Sequence, residues 1–144
     1  MIMHQKFAEL LKFSESGRLL LLDLRVFPQY SKSRIRGAIN LCVPTTLRKR
    51  SLFDVQKLSQ ILKEEHDKAR FALWREAQSI VVNDTGSSQL EDARSAMYTL
   101  KKFTNEDWNG TTCIVKGSFR GFSKNYPEKI DEMRINEVYP SNEG

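Results

Sequence analysis

Apolar and polar positions alternate along the chain in two rhythms. His4 to Phe13 puts Phe7, Leu10 and Leu11 at helical spacing, with Gly17 as a C-terminal stop. Leu19-Leu20-Leu21-Leu22 is an unbroken apolar run, the pattern of a strand covered on both faces of a parallel sheet. Asp23-Leu24-Arg25 ends it, and Pro28 opens a short helical turn up to Tyr30. Ala38 to Val43 predicts a second buried strand, closed by Pro44. Leu52, Val55, Leu58, Ile61 and Leu62 share one face of a helix, and His66 to Ala77 predicts another. Ser79 to Asn83 is a third strand, followed by a loop and a helix from about Gln89 to Phe103. Thr112 to Val115 is a fourth strand, and Lys116-Gly117 turns into a short helix through Phe119 and Phe122, stopped near Pro127. Phe119, Phe122 and Tyr126 read as core residues at helical spacing. Strands alternating with helices predict an α/β domain with a central parallel sheet over residues 1–133. Residues 134–144 are polar and read as a flexible tail or the start of a linker.

A chain of 144 residues fits one domain and buries roughly two-thirds of its unfolded surface. No apolar run approaches the roughly 20 residues of a membrane span, and the first residues lack a signal-peptide pattern, so a reducing setting is expected. Cys42 and Cys113 both fall in strand-like runs, where Cys acts as a small hydrophobe, and two separated His give no metal site. No cofactor is expected. Asn109-Gly110-Thr111 matches a glycosylation sequon and reads as a turn.

Charge changes this picture in one place. The chain carries 23 Lys and Arg against 18 Asp and Glu. Seven of those cations and no carboxylate lie between Leu24 and Phe53. The excess is therefore local. Arg48, Lys49 and Arg50 are contiguous, follow a strand and a proline, and have Leu47, Leu52 and Phe53 beside them. The segment has few aromatics for base stacking and no nucleic-acid-binding signature, so an acidic protein surface is the better fit. Cations steer an acidic partner in, and apolar contacts lengthen the life of the complex. Leu47 reads as the apolar contact, and Leu52 mainly as core of the following helix. Arg34 and Arg36 are expected to extend the patch, whereas Asp23 and Arg25 read as structural.

The stretch LLLLDLRVFPQYSKSRIRGAINL resembles the opening of a rhodanese-type domain, and CIVKGSFRGFSKNYP resembles the end of that fold in protein phosphatases. AINLCVPTTLRKR is similar to the subgroup preceding the catalytic domain of mitogen-activated-protein-kinase phosphatases, and to its version in fungal protein-tyrosine phosphatases. The resemblance implies a three-layer rhodanese-like fold that does no chemistry. It implies a partner, a mitogen-activated protein kinase bound through an acidic docking surface, with Arg48, Lys49 and Arg50 in the place of the basic kinase-interaction cluster. It also implies a cytoplasmic or nuclear setting, with no membrane and no nucleic acid. The alternatives are an active sulfurtransferase or arsenate-reductase-like enzyme, and a regulatory domain of another enzyme such as a deubiquitinase.

Active rhodaneses carry a Cys at the start of the loop after the strand matching Ser79–Asn83. Here the loop reads Asp84-Thr85-Gly86-Ser87-Ser88-Gln89, with Asp84 where that Cys would stand and Arg94 well inside the next helix. Thiol chemistry needs a thiolate activated by the positive end of the helix. An Asp there is a poor nucleophile toward sulfur and repels phosphate, while it suits the first turn of a helix as a cap. An aspartyl-phosphate route would need Mg²⁺ and further carboxylates, which the loop does not offer.

Overall fold

The structure is a computed structural model that describes residues 7–9, 11, 18–48, 50, 52–83, 90–115 and 118–132, with 45, 48, 90–95, 118, 120 and 121 described by backbone alone. The leucine run forms β1 (Leu19–Asp23), buried at every position. It lies between β3 (Ile39–Asn40) and β4 (Ser79–Asn83), and β4 pairs with β5 (Thr111–Ile114), so one four-stranded sheet has the order β3-β1-β4-β5. All three pairings are parallel, with Leu22 opposite both Ile39 and Val82.

Successive residues of a strand face opposite sides, and the two cores divide accordingly. Leu20, Leu22, Ile80 and Val82 pack on one side with Leu58, Phe71, Trp74, Leu100, Phe103 and Trp108. Leu19, Leu21 and Val81 pack on the other with Phe7, Leu11 and Phe122. With both faces covered, polar alternation has nowhere to appear, which is why these strands read as continuous apolar runs.

The helices are α1 (Phe27–Lys32), α2 (Thr45–Arg48), α3 (Val55–Ile61), α4 (Glu65–Ala72), α5 (Leu90–Thr104) and α6 (Ser118–Asn125), and residues 7–9 are also helical. The first core takes its side chains from α3, α4 and α5; the second takes Phe7 and the α6 residue Phe122, whose rings lie 4.7 Å apart. The result is the expected central parallel sheet flanked by helices on both faces.

Three elements differ from the sequence pattern. The second strand pairs only over Ile39–Asn40, because β1 ends at Asp23, whose carbonyl takes the Leu41 N–H at 2.8 Å; Leu41 and Val43 stay buried without a ladder. The helix expected from Leu52 starts at Val55, where the Asp54 carboxylate accepts the Lys57 N–H and caps it. The helix expected to reach Ala77 ends at Ala72 and gives way to a 3-10 turn, Trp74–Glu76. That tighter turn carries Trp74 into the core, edge-on to Phe103 and Trp108 at centroid distances of 5.2 and 6.4 Å. The pattern also did not foretell an antiparallel ribbon of β2 (Ser33–Ile35) and β6 (Ile130–Glu132). Each of these strands is three residues long, too short to show a period.

Candidate docking site

Tight turns shape the basic segment. Leu47 N–H donates to the Pro44 carbonyl, Arg50 N–H to Leu47, and Phe53 N–H to Arg50, at 2.9, 3.1 and 3.1 Å. Two lysines hold its carbonyls: Lys102 Nζ donates to Arg50 O at 2.8 Å, and Lys57 Nζ to Leu52 O at 2.9 Å. Leu47 and Phe53 are half-buried against the first core and anchor both ends of the segment. Between them Arg50 is exposed and makes no hydrogen bond or ion pair through its side chain among the described residues.

The two leucines differ in exposure from what their spacing implied. Leu52 is 81% exposed, in the turn ahead of the capped helix, so it is not core. Leu47 spends its apolar surface on the domain's own interior. The more exposed apolar side chain beside the cations is therefore Leu52. Lys49 and the side chain of Arg48 lie outside the described residues; the Arg48 backbone closes α2.

Arg34 lies in β2 and Arg36 in the turn just after it, and both are engaged there. The Arg34 guanidinium lies over the Tyr30 ring at 5.0 Å and reaches the Tyr30 carbonyl at 3.4 Å. Arg36 pairs with Asp131 at 3.0 Å, both partly exposed, so its charge is offset locally rather than added to a free patch. Tyr30 donates its hydroxyl to Ala38 O at 2.7 Å, and burial pushes its pKa up against the opposing pull of Arg34.

Asp23 and Arg25 are structural, as expected. Arg25 Nε donates to Asp23 Oδ1 at 3.0 Å and Nη2 to Oδ2 at 2.8 Å, a forked pair with Asp23 fully buried and Arg25 5% exposed. The same Nη2 reaches Ser33 O at 2.6 Å, and the guanidinium stacks over the Phe119 ring at 3.7 Å. Asn40 donates its amide to the carbonyls of Asp23 and Arg25, tying the start of the strand-to-Pro44 connection to this network.

The loop Asp84-Thr85-Gly86-Ser87-Ser88-Gln89 lies outside the described residues, and so does the Arg94 side chain. Asn83, immediately before that loop, is fully buried, and neither amide atom is hydrogen-bonded among the described residues. Cys113 is half-buried against the second core, and burial raises its thiol pKa, the opposite of what a nucleophile requires. Cys42 is half-buried between Leu41 and Val43. Phe122 is fully buried, and Phe119 and Tyr126 pack against its cluster, as their spacing implied. Among the described residues no three His, Cys, Asp or Glu side chains converge as metal ligands would.

Sequence reasoning passed over Lys102 and Lys57. Lys102 lies 52 positions from the carbonyl it holds, and a single Lys within an amphipathic helix gives no signal of such a contact.

A profile of the rhodanese-like domain family matches residues 6–125. Tyrosine-protein phosphatase 1 of Schizosaccharomyces pombe is 35% identical over 116 residues, covering 81% of this chain and 21% of the relative. Dual specificity protein phosphatase 4 of Rattus norvegicus is 30% identical over 130 residues, 86% of this chain and 32% of the relative. The chain thus spans a third or less of these relatives' length. Among solved structures, the As-Sb reductase of Leishmania major superposes with a TM-score of 0.60 at 12% identity, over 99% of this chain and 97% of that one. A Saccharomyces cerevisiae homologue of single-domain rhodanese and of the Cdc25 phosphatase catalytic domain gives 0.58 at 14% identity, over 97% and 91%. At such identities the structural likeness speaks for the fold alone.

Proposed function

Since the chain belongs to the rhodanese-like domain family, we propose that it is a non-catalytic member that docks a mitogen-activated protein kinase through Arg48, Lys49 and Arg50, with Leu52 as the adjoining apolar contact. The observation that carries this reading is the 44–53 segment: a chain of turns that leaves Arg50 unpaired among the described residues and Leu52 81% exposed beside it. Such a pairing supplies steering charge and a desolvating contact in one short segment. Residues 84–89 contain no Cys, and Asp84 opens the loop, so the loop sequence supplies no thiolate. The parent protein is then a protein-tyrosine phosphatase, in keeping with the relatives named above, and docking raises the local concentration of its kinase substrate. A cytoplasmic or nuclear setting accompanies this role.

Titration of the domain against purified mitogen-activated protein kinases tests the reading. Arg48→Ala with Arg50→Ala weakens binding about tenfold, two exposed charge contacts of up to about 1 kcal/mol each, with the thermal midpoint unchanged. Unaltered affinity in that variant, or turnover of thiosulfate or a phosphate ester by the purified domain, overturns it.

A further inference from the structure

Lys102 is an unusual residue for a helix surface. It lies in the last turns of α5, is only 6% exposed, and directs its ammonium at the backbone of a segment far away in sequence. A buried ammonium loses hydration, and that loss must be offset by a specific acceptor. Here the acceptor is Arg50 O at 2.8 Å, with the Phe53 ring 5.7 Å from the same nitrogen. The Arg50 carbonyl also takes the Phe53 N–H, so one oxygen joins the turn and the helix. Burial pulls the Lys102 pKa below the ordinary lysine value, with Asp54 acting in the opposite direction.

The carbonyl so held belongs to the residue whose side chain faces solvent. Gripping the peptide after Arg50 fixes the direction in which Arg50 and Leu52 project, and α2 packs on α5 next to it. The matching contact from Lys57 to Leu52 O is exposed, so it holds less firmly. We propose that Lys102 is the positioning residue of the docking segment: it fixes the Arg50–Leu52 turn in one conformation, and partner affinity depends on it although it does not touch the partner. This inference rests on the docking reading for its functional half and on geometry for the rest.

Two measurements separate the halves. Limited trypsin digestion, with cut sites read by mass spectrometry, needs no partner: cleavage after Arg48, Lys49 or Arg50 requires local opening of the turn. Lys102→Met keeps the buried stem and removes the donor, and raises the cleavage rate there about tenfold, the ratio that corresponds to about 1.4 kcal/mol. Lys102→Arg retains charge and donor and stays within about threefold of wild type by the same relation. With a purified mitogen-activated protein kinase as probe, Lys102→Met raises the dissociation rate while the association rate stays within about twofold, because steering charges are set by the exposed cations. In an Arg50→Ala background the dissociation effect of Lys102→Met shrinks, since part of it acts through Arg50 and the rest through Leu52. Unchanged trypsin cleavage overturns the positioning role, as does a dissociation effect that persists in full without the Arg50 side chain. Lack of kinase binding by the wild-type domain overturns the docking reading and, with it, the functional half.

Discussion

Arg25→Met tests how the strand end that feeds the basic segment is held. Asp23 is fully buried, and the Arg25 guanidinium supplies three of the hydrogen bonds to its carboxylate, at 3.0, 3.1 and 2.8 Å. Methionine preserves most of the buried stem, so the loss falls on the charge. What remains for the Asp23 carboxylate among the described residues is the Arg25 backbone N–H at 3.0 Å. Leaving a buried carboxylate without its partner costs about 3–5 kcal/mol. The Ser33 carbonyl and the Phe119 ring also lose the guanidinium, so the upper part of that range is expected. Against a domain stability of about 5–15 kcal/mol this is severe. With a urea slope of about 2 kcal/mol per molar, the unfolding midpoint falls by about 2 M. Urea unfolding followed by tryptophan fluorescence reads the shift. Asp23→Leu with Arg25→Met removes both charges and recovers about half of the loss, because the penalty belongs to the orphaned charge and not to the missing bond. A single-variant loss below about 1 kcal/mol, or a double variant worse than the single, refutes the reasoning.

Asn83→Leu raises the thermal midpoint by about 3–5 °C, since it replaces a buried amide that has no hydrogen bond among the described residues with an apolar side chain of the same branching; a fall contradicts this. Burial raises the Cys113 thiol above its ordinary 9.0, so stability from that group is complete below this pH and is lost as pH rises through the folded value. Tyr30, also raised by burial, adds the same trend higher up. The wild-type urea midpoint therefore falls more steeply above pH 9 than that of Cys113→Val, and equal slopes contradict this. A Cβ at Gly110 would lie 1.9 Å from Trp108 Cζ2, so Gly110→Ala shifts the indole that donates to Ala77 O and costs about 1–3 kcal/mol; a change under about 0.5 kcal/mol shows that the ring moves freely.

The α/β plan was legible because it rests on long apolar periods. Leu19–Leu22 and Ser79–Asn83 carry the sheet, and their lack of alternation announced cover on both faces. Asp23 and Arg25 were legible as structural residues at the strand end; that they pair with each other is seen only in the fold. Contacts between distant residues were not. Lys102 on Arg50 O and the pairing of Ser33–Ile35 with Ile130–Glu132 join segments whose proximity is set by the fold, not by nearby sequence. Leu52 was misplaced because its spacing fits the helix that follows, whereas the Asp54 cap starts that helix later and leaves the leucine in solvent. The cation cluster was visible as charge, but Arg36 shows the limit of counting: its partner Asp131 lies 95 positions away.

The salt dependence of kinase binding tests the central claim most directly, measured by titration of the wild-type domain and of Arg48→Ala/Lys49→Ala/Arg50→Ala at about 0.05 and 0.3 M ionic strength. Exposed charges are screened beyond about 10 Å at 0.1 M salt and more closely above it. The account predicts that wild-type affinity falls about tenfold over this range, while the neutralised domain binds weakly at both ends with a much shallower slope. Equal affinity and equal slope for the two proteins contradict it.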